Sequence, residues 1–143
     1  MNTMLSKLVS IAVAHSELET GLEPEALLAA LEPDPVFELY PIARRFTGMA
    51  KTRRYYQHYF AEVLPRIKGF TIRSEAVSEI GLAREYDIKV VLPGAEAPSI
   101  HRIFAILTFG PERLSGGRFY TDEKMLRLMV GPLWNSLEPI PAD

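Results

Sequence analysis

The sequence has no cysteine among its 143 residues, and histidine is scarce. The lack of cysteine excludes disulfide bonds, a thiolate nucleophile and a thiolate-rich zinc site, and it favours the reducing cytoplasm as the location. His15, His58 and His101 lack the close helical or strand spacing of a metal site. We therefore expect no metal.

The chain also lacks a strong excess of charge and a long apolar run. Its net charge is −2 and its pI is about 5.9, so we expect neither nucleic acid nor an anionic membrane as a partner. The apolar run at residues 8–14 is too short to span a bilayer, although with Ala12-Val13-Ala14 it also suits a secretory signal. The three- and four-residue steps that lead from Met4 through Leu8, Ile11, His15 and Leu18 to Leu22 favour an amphipathic helix of the folded domain.

The length and an apolar content of 48% suit one globular domain over residues 1–143. The sequence also lacks a glycine-rich phosphate loop and a Gly-x-Ser-x-Gly elbow. Because these motifs are lacking, the next source of information about function is the fold, which the order of helices and strands predicts.

Helices are predicted mainly in the first half of the chain. The first covers residues 3–20 and stops at Gly21, and the second covers residues 24–31 and is ended by Pro33 and Pro35. A third helix is predicted from Thr47, as its cap, to Pro65.

Strands dominate the second half. A short extended segment at residues 36–40 precedes the third helix, and a period of two begins at Phe70 and is clearest over residues 82–92. Residues 100–109 are apolar on both faces, which predicts a central strand covered on both sides. A last strand over residues 118–122 and a helix over residues 123–130 follow, so the chain is predicted to be α+β with a mostly antiparallel sheet.

Three short motifs add a resemblance to this order. They are Glu38-Leu39-Tyr40-Pro41, Phe46-Thr47-Gly48 and the segment of residues 116–122. Over roughly residues 3–130 the chain resembles the SnoaL-like branch of the nuclear transport factor 2-like superfamily, which is related to ketosteroid isomerase. The resemblance implies a cone, in which a strongly curved sheet wraps around N-terminal helices and leaves an apolar cavity open at one end. It also implies proton-transfer chemistry that needs no cofactor.

The same resemblance implies three catalytic candidates. His15 lies on the helix that supplies a hydrogen-bond donor in the isomerases, and Tyr40 takes the place of their catalytic aspartate. A phenol, with a reference pKa of about 10, is a poor base near neutral pH. The second isomerase acid falls at Ala105 and is missing. Asp122 matches the acid or base of SnoaL-like cyclases. The alternatives are a core histidine, a packing tyrosine and a helix-capping aspartate.

We expect further side chains to bind a ligand, namely Phe46, Tyr56, Tyr86, His101, Phe104, Arg118, Tyr120 and Trp134. The predicted function is binding of a small, apolar, oxygenated molecule, with proton transfer of isomerase, cyclase or dehydratase type. The alternative is a non-catalytic dimeric ligand-binding or scaffold protein of the same fold. In both cases we expect a homodimer through the outer face of the sheet, where Ile103 and Leu107 are predicted to lie.

Overall fold

The computed structural model describes residues 3–18 and 24–142. Its helices are α1 (Thr3–Leu18), α2 (Pro24–Ala29), α3 (Met49–His58) and α4 (Glu123–Val130). A π-helical turn, Tyr59–Val63, and a 3₁₀ turn, Leu64–Arg66, extend α3, and the 3₁₀ segment Gly131–Ser136 follows α4. The strands are β1 (Leu31–Tyr40), β2 (Arg44–Thr47), β3 (Ile67–Val77), β4 (Gly81–Val90), β5 (Ser99–Phe109), β6 (Leu114–Tyr120) and β7 (Glu138–Pro139).

The seven strands form one curved, open sheet in the order β3-β4-β5-β6-β1-β2-β7. Strands β1 and β6 run parallel, and the other neighbouring pairs are antiparallel. The predicted α+β class and the mostly antiparallel curved sheet are confirmed. The predicted helix over residues 123–130 matches α4, while the predicted end of α1 at Thr20 and Gly21 lies outside the described residues.

Irregular pairing gives the sheet its curvature. The register between β3 and β4 shifts twice, between Ile67 and Gly69 and between Ile72 and Ser74, and each shift leaves one extra residue in β3. Such bulges bend a strand and increase its twist. Both bulges lie in β3, the strand at one edge of the sheet.

Strand β1 is longer than the sequence indicated. It begins at Leu31, and Pro33 and Pro35, predicted to end a helix, lie inside it. Both prolines fall in the register shift between Leu31 and Val36, where β1 skips pairs with β6. Their missing N–H groups therefore cost the sheet no ladder hydrogen bond.

Glycines occupy two places where the structure differs from the sequence-based prediction, the start of α3 and the strand β6. Thr47 belongs to β2, and the residue that caps α3 is Gly48, whose φ of +92° suits glycine. Gly116 and Gly117, which precede the strand predicted over residues 118–122, are part of β6. There they pair with Val36 and Phe37 of β1.

The faces of β5 are opposite to the prediction. Ile103 and Leu107 point into the core and are 1% and 6% exposed, whereas Phe104 on the other face is 39% exposed. The strand is therefore covered on one side, and its outer face is open. Both faces carry large apolar residues, so alternation by itself gave no way to choose between them.

Charged residues tie β3, β4 and β5 together on the outer face. Asp87 accepts hydrogen bonds from Arg102 at 2.8 and 3.0 Å and from Arg73 at 2.9 Å. The hydrogen bonds from Arg102, with those from Arg73 and the charges of both arginines, lower the pKa of Asp87 to about 2. This network crosses three strands and keeps the carboxylate ionised.

An aromatic core fills the space between the inner face and the helices. The ring of Phe37 stacks with those of Phe46 and Phe119 at centroid distances of 5.2 and 6.1 Å. Tyr55 and Tyr56 of α3 close this cluster from the helical side. Beyond Phe119 the packing stops, and a cavity begins.

Candidate functional site

A cavity that we call the main cavity lies between the end of α3 and the inner face of the sheet and has a volume of about 340 Å³, while three larger hollows are more open to solvent. Its aliphatic wall comprises Leu64, Ile67, Leu82, Ala105 and Leu107. The rest of its wall comprises Tyr59, Phe70, Arg84, Tyr86 and Phe119. This volume is at the lower end of the range for small-molecule pockets, about 300–1,000 Å³, and such pockets are mainly apolar.

The cavity opens at strand β3. Phe70 and Ile72 lie opposite Ile88 and Tyr86 of β4, so both project from the inner face, yet both are exposed. The ring of Phe70 lies 4.7 Å from that of Tyr86. These side chains form an apolar rim through which a ligand can enter without unfolding the core.

Arg84 is the charged residue among the described residues that line the cavity. It lies directly opposite Glu75 of β3, and its Nε and Nη2 atoms both lie 2.9 Å from the same carboxylate oxygen of Glu75. The arginine side chain is 17% exposed, and the glutamate is 41% exposed. The guanidinium therefore faces the cavity, and its counter-charge lies on the solvent side.

His15 and Tyr56 form a hydrogen-bonded pair inside the core. Their Nε2 and phenol oxygen are 3.0 Å apart, and both side chains are fully buried. A void of about 10 Å³ touches Tyr56 and shares Tyr59, Tyr86 and Phe119 with the main cavity. Tyr56 therefore lies one layer behind the cavity wall, and His15 lies beside a different hollow, which residues of α1 and α2 also line.

Tyr40, Tyr120 and Phe104 lie on the outer face instead of around the cavity. Tyr40 stacks on Tyr120 at 4.8 Å, and Tyr120 meets Phe104 edge-on at 6.1 Å. Desolvation, with the neighbouring charges of Glu38 and Tyr120, raises the pKa of the Tyr40 phenol. The predicted place of these three rings in the cavity is wrong, because β1, β5 and β6 present them to the opposite side.

Asp122 and His101 form a separate polar chain with Ser99. Nδ1 of His101 lies 2.5 Å from Oδ2 of Asp122, and its Nε2 lies 2.7 Å from the Ser99 hydroxyl. Because a carboxylate only accepts, Nδ1 donates to Asp122, and a neutral ring then accepts from Ser99. This is the connectivity of a Ser-His-Asp triad, but the three side chains do not line the main cavity.

Asp122 also caps α4. Its Oδ1 accepts a hydrogen bond from the N–H of Met125 at 2.9 Å. This is the helix-capping role that the sequence analysis gave as the alternative to catalysis. Partial burial raises the pKa of Asp122, but the hydrogen bonds from His101 and the Met125 N–H outweigh it, so that the net pKa lies below its usual value. Asp122 thus links the start of β5 to the start of α4 through its hydrogen bonds with His101 and Met125.

The other predicted ligand-binding residues are dispersed. Phe46 is fully buried in the aromatic core, and Arg118 pairs with Glu38 at 3.3 Å on the outer face. Trp134 packs under the guanidinium of Arg127 at 4.2 Å, beside a different hollow. Among the predicted site residues, Tyr86 lines the main cavity.

Sequence reasoning missed several wall residues, including Arg84, Tyr59 and Phe119. Arg84 falls between Leu82 and Tyr86 in the period-two pattern, so the pattern itself placed a guanidinium on an apolar face. That mismatch was the available signal. Phe119 was hidden because its neighbours were assigned to the wrong face.

Within residues 3–18 and 24–142, no group of three or more His, Asp or Glu side chains is placed to hold a metal ion. No helix in the same ranges is both long and apolar enough to cross a membrane.

Comparison with known proteins places the fold. No family model matches the chain, and no curated protein matches it significantly. Among solved structures, a Catenulispora acidiphila protein with a ketosteroid isomerase-like fold has a TM-score of 0.59 and 20% identity, over 77% of this chain and 83% of its own. A nuclear transport factor 2-like protein from Anabaena variabilis has a TM-score of 0.64 and 13% identity, over 86% and 95%.

A second nuclear transport factor 2-like protein, from Cytophaga hutchinsonii, has a TM-score of 0.65 and 10% identity, over 80% of this chain and 99% of its own. Identities this low carry the fold and not the activity. The three structural matches agree with the curved open sheet, the helices on its inner face and the cavity at its edge. This chain therefore has the nuclear transport factor 2-like, ketosteroid isomerase-like fold.

Proposed function

We propose that the protein binds a small, apolar, oxygen-bearing molecule in the main cavity. The observation that carries this proposal is a hollow of about 340 Å³ with a mainly apolar wall and the Arg84–Glu75 ion pair at its side. Pockets with a few polar groups in an apolar wall bind ligands by burial and orient them by hydrogen bonds. The Catenulispora protein of the same fold was solved in complex with trimethylamine, so this fold is known to hold a small molecule.

The geometry supports binding better than catalysis. His15, Tyr40 and Asp122 lie in three different places, and the described residues lining the cavity include no carboxylate. A phenol is a weak base near neutral pH, and a guanidinium is already protonated and cannot accept a proton, so this wall offers no strong proton acceptor. We therefore put the non-catalytic carrier first.

Proton transfer is the second candidate, and one observation favours it. Tyr56 is buried directly behind Tyr59, Tyr86 and Phe119, and its phenol is hydrogen-bonded to His15. A phenol hydrogen-bonded to an imidazole can pass a proton to a ligand that displaces those rings. A Tyr56→Phe variant separates the candidates, because a carrier retains its ligand affinity whereas an enzyme of this type loses turnover.

Filling the cavity tests the binding proposal. Ala105 projects into the hollow from the middle of β5, so Ala105→Phe occupies the space without removing a core contact. Its matched control is Ala83→Phe, which places the same ring on the outer face, opposite Ile106. The fluorescent neutral ketone Prodan serves as the probe, and its emission shifts to the blue in an apolar site.

We expect Prodan to bind the wild type and the Ala83→Phe variant alike, and to bind Ala105→Phe at least tenfold more weakly. Equal binding by all three proteins, or none to the folded wild type, would refute a ligand site in this cavity.

We further propose a homodimer through the outer face of the sheet. Tyr40, Tyr120 and Phe104 form a continuous row of rings there, with exposed Ile100 on the same strand as Phe104. A second copy of the chain covers such a row symmetrically and removes an apolar patch from water. In sedimentation at micromolar concentration, the wild type should be a dimer and Phe104→Glu a monomer. A monomeric wild type contradicts the proposal.

Membership of the SnoaL-like branch, a single domain and a cytoplasmic location are also proposed. The first rests on the motifs at residues 38–41, 46–48 and 116–122, and the last on the absence of cysteine. Fractionation of cells that produce the native chain tests the location.

A further inference from the structure

We infer that the cavity selects neutral ligands with an acceptor oxygen, such as a ketone, ester or lactone, and that Arg84 donates a hydrogen bond to this oxygen. Glu75 sets the preference for neutral over anionic ligands, because it balances the charge of Arg84. The inference rests on the proposed function, because it assigns a ligand class to the same cavity. It begins from one feature of the wall, a guanidinium whose charge is already balanced.

The hydrogen bonds of Arg84 leave donors for a ligand. A guanidinium carries five N–H groups. Nε and Nη2 each direct one of them to the same oxygen of Glu75, and no other acceptor bonds to this guanidinium among the described residues. Three N–H groups therefore remain, and the side chain that carries them lines the cavity.

The charge of the pair decides which oxygen suits those donors. Arg84 and Glu75 sum to zero, so the site gives no net attraction to an anion. A carboxylate ligand would lose its hydration in an apolar wall and would also approach the carboxylate of Glu75. A carbonyl oxygen meets neither cost, because it accepts a hydrogen bond from the guanidinium and leaves the Glu75 pair intact.

The burial of the two partners supports the same assignment. Arg84 is 17% exposed and faces the hollow, whereas Glu75 is 41% exposed and faces water. Removing the charge of Glu75 therefore leaves a solvated amide at the rim and a positive guanidinium in the wall. We expect such a wall to favour anions.

Two isosteric probes test the inference. Acetonaphthone is a neutral methyl ketone, and naphthoate carries a carboxylate at the same ring position and has the same number of heavy atoms. Affinities are measured by displacement of Prodan and checked by calorimetry. The variants are Glu75→Gln and Arg84→Met, and the matched control is Glu85→Gln, which alters a carboxylate next to Arg84 in sequence but on the outer face.

We expect the wild type and Glu85→Gln to bind acetonaphthone at least tenfold more tightly than naphthoate. Glu75→Gln should bind naphthoate at least tenfold more tightly than the wild type does, with the ketone changed less than threefold. Arg84→Met should lose about tenfold in ketone affinity, since a hydrogen bond to a charged donor is lost. Thermal unfolding of each variant confirms that it is folded.

Two outcomes overturn the inference and leave the binding proposal standing. One is naphthoate binding to the wild type as tightly as the ketone, and the other is Prodan binding with no response of either probe to Glu75→Gln. If the folded wild type binds none of the three compounds, the binding proposal fails as well.

Discussion

Replacement of Gly116 by alanine should be among the most damaging small changes in this protein. Gly116 has a φ of +140°, and a Cβ built on it would lie 1.8 Å from the carbonyl oxygen of Val36 on β1. Cβ contacts under 3.0 Å essentially do not occur, so β1 and β6 must separate by about 1 Å. The change strains the backbone and breaks the parallel pairing at once.

The size of the effect follows from these two parts. A non-glycine residue in such a conformation costs about 1–3 kcal/mol, and overpacking against rigid backbone adds about 1–3 kcal/mol. We expect a total loss of roughly 4 kcal/mol in the free energy of unfolding, a large fraction of the 5–15 kcal/mol typical of a domain.

Gly94→Ala is the matched control. Gly94 also has a positive φ, of +80°, but nothing lies within 4 Å of the built Cβ. Gly94→Ala therefore measures the cost of the backbone conformation without the cost of overpacking. Gly117→Ala carries mainly the contact part, since its Cβ would lie 3.1 Å from the carbonyl oxygen of Ile106. We expect each of them to cost about 1–2 kcal/mol.

Urea unfolding followed by the fluorescence of Trp134, the sole tryptophan, measures all three variants. Failure of Gly116→Ala to fold, alongside two folded controls, agrees with the prediction. A loss for Gly116→Ala no larger than that for Gly94→Ala would refute the close approach of β1 and β6.

Three further predictions concern side chains. Tyr56→Phe should lower the free energy of unfolding by about 1–3 kcal/mol, because it removes the buried hydrogen bond to His15, and an unchanged urea midpoint would contradict that bond. Asp122→Ala should cost about 1 kcal/mol through the lost cap of α4, measured as a lower thermal midpoint, while Asp122→Asn should retain most of the cap. Asp87, with a folded pKa of about 2 against an unfolded value of about 3.9, contributes stability that is fully present above about pH 4 and is lost as the pH falls toward 2. Urea unfolding from pH 5 to pH 2 should therefore show a steeper loss for the wild type than for Asp87→Asn, and parallel curves would refute the network.

Local signals were sufficient for the elements whose ends depend on neighbouring residues. Helix α4 was predicted with its observed bounds, because Asp122 is a good N-cap and Gly131 suits a helix end. Strand β1 was cut short because its two prolines resemble a helix stop, and they are tolerated in a register shift with β6 that the sequence does not reveal.

The candidate site was predicted less well because it depends on which face of each strand points inward. Large apolar residues occupy both faces of β5, and two aromatic residues, Phe119 and Tyr120, are adjacent in β6, so a shift of one residue exchanges the cavity wall with the outer face. Phe104 and Tyr120 were therefore placed in the cavity, and Phe119 and Leu107 were not. The pairing of Arg84 with Glu75 joins residues of two strands and needed the register between them.

The sequence by itself determined the fold class, the order of the longer helices and strands and the absence of thiol chemistry, because these depend on composition and on periodicity along the chain. The tertiary structure decided the inward face of the sheet, the position of the cavity and the partners of each polar group. Those features arise where the bulged, curved sheet brings distant strands and α3 together, and curvature follows from register shifts between strands rather than from any single segment.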